Sequence, residues 1–212
     1  MKVFKVKYDS GGRDGSIRYQ HLFVDERKYQ NAGELRLAMD RLHFIGRPKP
    51  DWMPPEMWSQ YPLHIAPDIW MICTLSGAFA VEPKPIMNIE VLEPMLRQAG
   101  EMLPLFYKGR TLIICNILEC VDCIDEDKSE WYCRPNTQER LYPERPFFVR
   151  GQLPRSTLFK IPQKPLDIYT WEYDHDPETE FKAWVEENGL TGLKFEPMWS
   201  DEEGIIPYKR SW

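Results

Sequence analysis

Residues 174–195 read DHDPETEFKAWVEENGLTGLKF, and this stretch constrains the fold more than any other. Asp176 can accept hydrogen bonds from the free amides of a first helical turn, and Pro177 suits the N1 position because it has no N–H to lose. Glu178 and Glu180 place negative charge at the positive end of the helix dipole. The apolar residues recur at i, i+3 and i+4, as Phe181, Trp184 and Val185. The stretch therefore predicts an amphipathic helix that packs on a sheet.

The residues after this helix predict a sharp change of direction. Gly189 can adopt the left-handed conformation that ends a helix. Leu190, Leu193 and Phe195 predict a short buried strand or turn that Pro197 stops. Gly192 predicts a tight bend or a close approach of two backbones, since it has no side chain.

Three stretches occur in an order that a known family also shows. The first is Leu103-Pro104-Leu105, followed by residues 111–117 and 121–125 and closed by Lys128-Ser129-Glu130. The second is the phenylalanine-centred run at 156–161, and the third is NGLTGLKF at 188–195. Together they resemble a bacterial immunity-protein family of polymorphic toxin systems. That family was formerly catalogued as a domain of unknown function, with a C-terminal Gly-Leu-Thr-Gly-Leu-x-Phe element. The resemblance covers about residues 86–199, and residues 1–85 match it only loosely.

The resemblance implies a protein that is not an enzyme. Members of this family bind and neutralise a cognate toxin by occlusion, so the expected partner is a toxin domain and no cofactor is expected. A non-catalytic regulatory or scaffold module with an unknown partner is the alternative interpretation.

Composition and pattern favour one globular α+β domain over residues 1–212. The chain is 42% hydrophobic and 13% aromatic, it opens without an apolar signal-peptide core, and its longest apolar stretch, residues 69–81, is too short to span a bilayer. We therefore expect a cytoplasmic protein.

Predicted strands outnumber helices and do not alternate with them, which favours a mixed or antiparallel sheet with a few helices. The strands are expected at residues 3–8, 69–73, 77–81, 147–149, 158–161 and 168–171, with a hairpin of 103–107 and 111–118 around Lys108-Gly109. The other helices are expected at 33–44 and 88–100, and residues 46–67 should be irregular.

The cysteines predict core packing and not a metal centre. Cys120 and Cys123 form a C-x-x-C pair near Cys115 and Cys133, but the second pair of ligands that a zinc site needs is missing. Residues 113–124 instead predict a buried strand in which cysteine acts as a small hydrophobic residue.

Two sequence patterns test the possibility of catalysis. Pro67-Asp68, followed by Glu82-Pro83-Lys84, matches the Pro-Asp…Glu-x-Lys pattern of metal-dependent nucleases, in which carboxylates hold a divalent ion. Proline on both sides of Lys84 opposes a central strand there, and the net charge of −6 opposes a nucleic-acid substrate. In Asp174-His175-Asp176 a carboxylate could polarise the imidazole, but this sequence favours a solvated surface over a catalytic base.

Charge is distributed unevenly along the chain. Residues 1–50 hold eleven Lys/Arg against six Asp/Glu, whereas residues 172–203 hold eleven Asp/Glu against two lysines. A second acidic run lies at 122–130. An acidic surface suits a basic toxin, including a nuclease that attracts phosphate, because complementary fields speed association. We therefore expect the partner-binding residues to be Asp122, Asp125, Glu126, Asp127, Glu130, Trp199, Asp201, Glu202 and Glu203, with Trp199 as the aromatic anchor.

Overall fold

The computed structural model describes residues 1–9, 22–41, 44–55, 57–59, 65–72, 77–83 and 89–207. In chain order the elements are β1 (Lys2–Tyr8), β2 (Leu22–Val24), α1 (Ala32–Arg41), β3 (Met57–Ser59), β4 (Ile69–Met71), β5 (Ala78–Val81), α2 (Ile89–Ala99), β6 (Gly100–Tyr107), β7 (Arg110–Ile117), β8 (Glu130–Cys133), β9 (Arg140–Arg145), β10 (Leu158–Phe159), β11 (Ile168–Glu172), α3 (Phe181–Glu187), β12 (Leu193–Ser200) and β13 (Gly204–Ile205). Within these ranges no helix is long and apolar enough to cross a lipid bilayer.

The strands form two larger antiparallel sheets. The terminal sheet has the order β10-β11-β1-β12-β13, and the central sheet has the order β4-β5-β7-β6. β2 pairs with β3, and β8 pairs with β9, as separate two-stranded ribbons. The expected α+β fold with antiparallel sheets is therefore confirmed.

The hairpin of β6 and β7 follows directly from its turn. Lys108 and Gly109 have φ angles of 47° and 75°, the left-handed pair that a two-residue type I′ turn requires. Along β6 the side chains alternate, with Leu103, Leu105 and Tyr107 buried. The predicted hairpin is confirmed.

The two sheets and two helices share one hydrophobic cluster. α3 contributes Phe181, Trp184 and Val185, as its i, i+3, i+4 spacing predicts. The rings of Phe181 and Phe79 in β5 stack with centroids 5.3 Å apart, so α3 packs on the central sheet. The predicted C-terminal helix on a sheet is confirmed, whereas the prediction of a single domain over 1–212 stays a prediction.

The start of this helix differs from the prediction. α3 begins at Phe181, four residues after Pro177. Asp176 instead caps a separate turn, in which the Glu178 amide donates to its carboxylate over 3.0 Å. Glu180 is buried, and its carboxylate accepts hydrogen bonds from the amides of Tyr173, Asp174 and Asp176. These bonds hold residues 173–176 in a loop. The Phe181 amide donates to the Thr157 hydroxyl over 3.2 Å, so it is engaged outside the helix and α3 begins there.

β12 also continues past Pro197, which was expected to stop it. Phe4 of β1 pairs with Pro197 and Val3 pairs with Trp199, so Met198 is an extra residue in a β-bulge. A bulge tolerates proline because the ladder is already interrupted there.

Other boundaries differ more modestly. Residues 147–149 form no strand and share only a single bridge, between Phe148 and Ile124. β3 lies within the segment that was expected to be irregular.

A polar clip connects the two sheets. One carboxylate oxygen of Asp68 accepts hydrogen bonds from the Thr191 amide (2.9 Å) and the Thr191 hydroxyl (2.7 Å). The Thr191 carbonyl accepts a hydrogen bond from the Ile69 amide over 2.9 Å. Beside it, a Cβ on Gly192, whose φ is +105°, would lie 2.0 Å from the Ile69 carbonyl oxygen. The NGLTGLKF run therefore joins β12 to β4, and Gly192 permits the expected close approach.

Replacing Gly192 by alanine should be far more destabilising than replacing Gly189. Gly189 has a φ of +59° but nothing within 4 Å of its would-be Cβ, so Gly189→Ala adds backbone strain alone, about 1–2 kcal/mol. Gly192→Ala adds a clash with backbone and should reduce the free energy of unfolding by about 3–5 kcal/mol. Urea denaturation of the two variants measures this difference, and equal losses would contradict the close approach.

Candidate protein interface

The acidic turn at 125–129 is held by hydrogen bonds to the backbone. The carboxylate of Asp125 accepts from the amides of Asp127 (3.1 Å) and Lys128 (3.2 Å). The Ser129 hydroxyl donates to the Asp125 carbonyl and accepts from the Phe147 amide. The side-chain hydrogen bond from Lys128 lowers the pKa of Asp125. Asp125 therefore shapes the turn, while the neighbouring side chains of Glu126 and Asp127 are exposed.

The second acidic segment is the turn at 201–203, between β12 and β13. Asp201 contacts the Met1 ammonium at 2.9 Å and the Arg150 guanidinium at 3.1 Å. The hydrogen bond from the Met1 ammonium lowers the pKa of Asp201. Glu202 and Glu203 extend from the same turn and are exposed.

Both segments surround Phe147. The Lys128 ammonium lies 5.0 Å from the centre of the Phe147 ring, and a Cβ on Gly204 would lie 3.2 Å from that ring. Arg145 makes a second link, because its guanidinium lies 4.0 Å from Glu130 and donates to the Ile206 carbonyl. We call the exposed carboxylates of the two segments the acidic surface: Glu126, Asp127, Glu130, Glu202 and Glu203.

The prediction that Trp199 is an aromatic anchor for a partner is wrong, because this side chain is buried. Its side chain is 3% exposed, and its ring lies 6.0 Å from that of Phe147 and 6.4 Å from that of Phe148. The bulge at Met198 is the reason, because the extra residue breaks the alternation of β12 and both Met198 and Trp199 become buried.

Three of the nine expected contact residues, Asp122, Asp125 and Asp201, accept hydrogen bonds within the fold. Asp122 accepts a hydrogen bond from the Gln163 side chain over 2.9 Å. Asp125 and Asp201 are occupied by the contacts given above. The exposed acids on either side of Phe147 are the part of the prediction that the structure brings together.

The uneven charge distribution is partly cancelled within the fold. β1 and β12 are neighbours, and Lys7 of β1 pairs with Glu196 of β12 at 3.0 Å. Lys5 pairs with Asp167 at 2.6 Å, and Lys182 of α3 pairs with both Glu172 and Glu186. Some of the acids in 172–203, namely Glu172, Glu186 and Glu196, are therefore paired within the fold.

A second feature of this region was missed from the sequence. The ribbon of β8 and β9 holds Tyr132 opposite Tyr142, and their rings stack 5.0 Å apart with an angle of 15°. Tyr132 is 41% exposed. The ribbon begins at Glu130, so this aromatic pair adjoins the acidic surface. The available signal was the cluster of aromatic residues Trp131, Tyr132 and Tyr142 after an acidic run.

The carboxylates of the nuclease-like pattern have other partners. Asp68 and Glu82 are cross-strand neighbours, since the Glu82 amide donates to the Asp68 carbonyl. The Asp68 side chain belongs to the clip with Thr191, and the Glu82 side chain contacts Arg110 at 2.9 Å. Lys84 lies outside the described residues. These contacts give both acids a structural explanation.

The cysteines do not lie on one continuous buried strand. β7 ends at Ile117, and Cys120 is exposed, so the expected buried strand at 113–124 is wrong. Cys115 and Cys123 are buried as expected, and burial raises the pKa of Cys115 and raises that of Cys123 to about 12. Both thiols are held in the neutral form at physiological pH.

His175 belongs to an ion-pair network. Its Nδ1 lies 3.0 Å from Glu172, not against the neighbouring aspartates, and ligand atoms of Glu172, His175 and Glu186 lie within 4.8 Å of one another. The Lys182 ammonium contacts both glutamates, at 2.8 and 2.7 Å. This lysine neutralises the carboxylates that a metal ion would need. The other histidines, His21, His43 and His64, lie outside the described residues.

A completely buried lysine, Lys160, pairs with Cys120 in an isolated β-bridge. Lys160 is 0% exposed, and its ammonium donates to the Phe44 carbonyl over 2.8 Å. Burial lowers the pKa of Lys160 to about 8. This side chain ties the segment after α1 to the terminal sheet.

Comparison with known proteins adds no relative. No family model matches the chain, and a search of curated proteins finds no match.

The pKa of Lys160 predicts how stability depends on pH. Between pH 8 and 10.5 the unfolded chain keeps a proton that folded Lys160 has released, so stability rises with pH. Over that range wild type should gain about 3 kcal/mol relative to Lys160→Met. Urea denaturation at several pH values measures the difference, in which the contributions of the buried cysteines cancel. Lys194→Met, at an exposed site, controls for loss of a lysine, and a flat difference for Lys160→Met would contradict the prediction.

Proposed function

We propose that this chain is an immunity protein that binds and neutralises a cognate bacterial toxin by occlusion, in the cytoplasm and without a cofactor. The resemblance of residues 86–199 to an immunity-protein family motivates the proposal. The partner would be a toxin domain with a basic face, such as that of a nuclease.

The acidic surface is the observation that carries the proposal. Glu126, Asp127, Glu202 and Glu203 have no hydrogen bond or ion pair to their side chains within the described part of the chain. The turns that carry them are fixed, by the bonds of Asp125 and Ser129 on one side and of Asp201 on the other. Unpaired carboxylates on fixed turns can attract a basic partner without first losing internal ion pairs.

The geometry of the other candidate sites supports a binding role. The nuclease-like acids and the Glu172–His175–Glu186 group are all engaged in contacts within the fold. A regulatory or scaffold module would also fit the acidic surface. The two functions predict different gene neighbourhoods, because an immunity gene lies beside a toxin gene and a scaffold gene need not.

Co-expression tests the function directly. The chain is produced together with the toxin domain encoded beside its gene, and growth and co-purification are measured. We expect growth to be restored and the two proteins to purify as a complex. A toxin that remains lethal and unbound would overturn the proposal, as would turnover of a substrate that depends on one side chain of the isolated chain.

Reversing charge on the acidic surface should weaken protection. Glu126→Lys with Glu202→Lys changes one side chain on each side of Phe147, and neither has a contact that stabilises the fold. We expect the association rate with the toxin to fall at least about tenfold, because the formal charge of the five-residue acidic surface changes from −5 to −1.

The matched control is Glu90→Lys with Glu187→Lys. These exposed acids lie on α2 and α3, which pack in a different hydrophobic cluster from Phe147, and their reversal changes the net charge by the same amount. The control should keep the association rate within about threefold of wild type, since its effect on the field at the interface is screened. Equal losses in the two double variants would place the interface elsewhere.

A further inference from the structure

The ribbon of β8 and β9 carries a stack of rings with one open end. The Lys164 ammonium lies 4.6 Å from the centre of the Tyr142 ring, and Tyr132 stacks on the same ring at 5.0 Å. Tyr142 therefore contacts the Lys164 ammonium and the Tyr132 ring together. Tyr132 is 41% exposed, so part of its ring remains open to a further partner.

A carboxylate lies on the same face of the ribbon. Exposure alternates along β8, with Glu130 and Tyr132 exposed and Trp131 and Cys133 half-buried, and the extra residue of the irregular pairing beside Glu130 lies in β9, so Glu130 and Tyr132 share one side of β8. Trp131 between them points to the other side, where its indole N–H donates to the Glu126 carbonyl over 2.9 Å. The Glu130 side chain is 60% exposed, and its contact with Arg145 is long at 4.0 Å.

We propose that Tyr132 and Glu130 bind an arginine side chain of the partner protein. The proposal rests on the proposed function, and it specifies that the toxin presents an arginine to the part of the interface formed by Tyr132 and Glu130. A guanidinium can stack flat on Tyr132 while its N–H groups donate to Glu130. A lysine ammonium has no plane to stack and no paired donors in a fixed fork.

Charge selects a basic protein as the occupant, in preference to a second copy of this chain. The ribbon adjoins Glu126, Asp127, Glu202 and Glu203 around Phe147, and the whole chain has a net charge of −6. Two copies that met through this face would bring like charges together, which is unfavourable.

Substitutions here can be made without disturbing the core. Tyr132 is outside the three buried hydrophobic clusters. Leu141, on the partner strand of the same ribbon, is 39% exposed and serves as a control that removes apolar surface without removing the ring.

The experiment uses two probes, octa-arginine and octa-lysine peptides with blocked ends, titrated calorimetrically into the full chain at fixed salt. We expect wild type to bind octa-arginine more tightly than octa-lysine. Tyr132→Ala should weaken octa-arginine binding about fivefold, the size of an exposed cation–π contact, and remove the preference. Tyr132→Phe should keep the preference for octa-arginine, and Glu130→Gln should weaken octa-arginine binding. Leu141→Ala should bind both peptides as wild type does.

Equal affinity of wild type for the two peptides, or unchanged octa-arginine binding by Tyr132→Ala, would overturn the proposal. Dimerisation of wild type that Tyr132→Ala abolishes would overturn it too, in favour of a second copy.

A second arm separates this proposal from the function. The same variants are tested for dissociation from the toxin domain, and Tyr132→Ala should dissociate about fivefold faster. If wild type binds the toxin and Tyr132→Ala dissociates no faster, the arginine site is wrong and the immunity function stands. If wild type does not bind the toxin, the immunity function fails, and the peptide titrations alone decide the arginine site.

Discussion

The junction between Asp68 and Thr191 is the contact on which the arrangement of the two sheets depends. It satisfies a carboxylate, a hydroxyl and four backbone groups in one place, and it brings Ile69 and Gly192 so close that no side chain fits between them. Because it fixes the start of β12 against β4, it also determines how α3 lies over the central sheet. The conspicuous Gly-Leu-Thr-Gly run is thus explained by assembly of the fold.

The fold also determines where the charged side chains of the two ends of the chain lie. Lys7 of β1 pairs with Glu196 of the neighbouring β12, so part of the positive charge near the start of the chain is balanced by negative charge near its end. Among the acids that stay exposed, Glu126, Asp127, Glu130, Glu202 and Glu203 lie on or beside the two turns around Phe147. The exposed tyrosine stack beside them adds apolar area and a preferred direction of approach.

Much of the fold could be predicted from the sequence, because the relevant signals are local. The Lys108-Gly109 turn, the i, i+3, i+4 pattern of α3 and the left-handed Gly189 each depend on a few adjacent residues.

The predictions that failed involve contacts between residues that are distant in the sequence. Glu180 resembled an exposed charge in a first helical turn, yet it is buried because three amides upstream converge on it. Trp199 resembled a surface aromatic, and only the pairing of β12 with β1 shows the bulge that turns it inward. The β8–β9 ribbon escaped prediction because its six-residue connection contains Asn136 and Gln138 at positive φ, where glycine would have been the recognisable signal.

The turn at 125–129 has one more property. Its shape is maintained by the side chains of Asp125 and Ser129 and by backbone atoms, including the Glu126 carbonyl that receives the Trp131 indole. The side chains at 126 and 127 take no part in that scaffolding. Substitutions at these two positions can therefore change the charge that the turn presents to solvent while the turn itself keeps its shape.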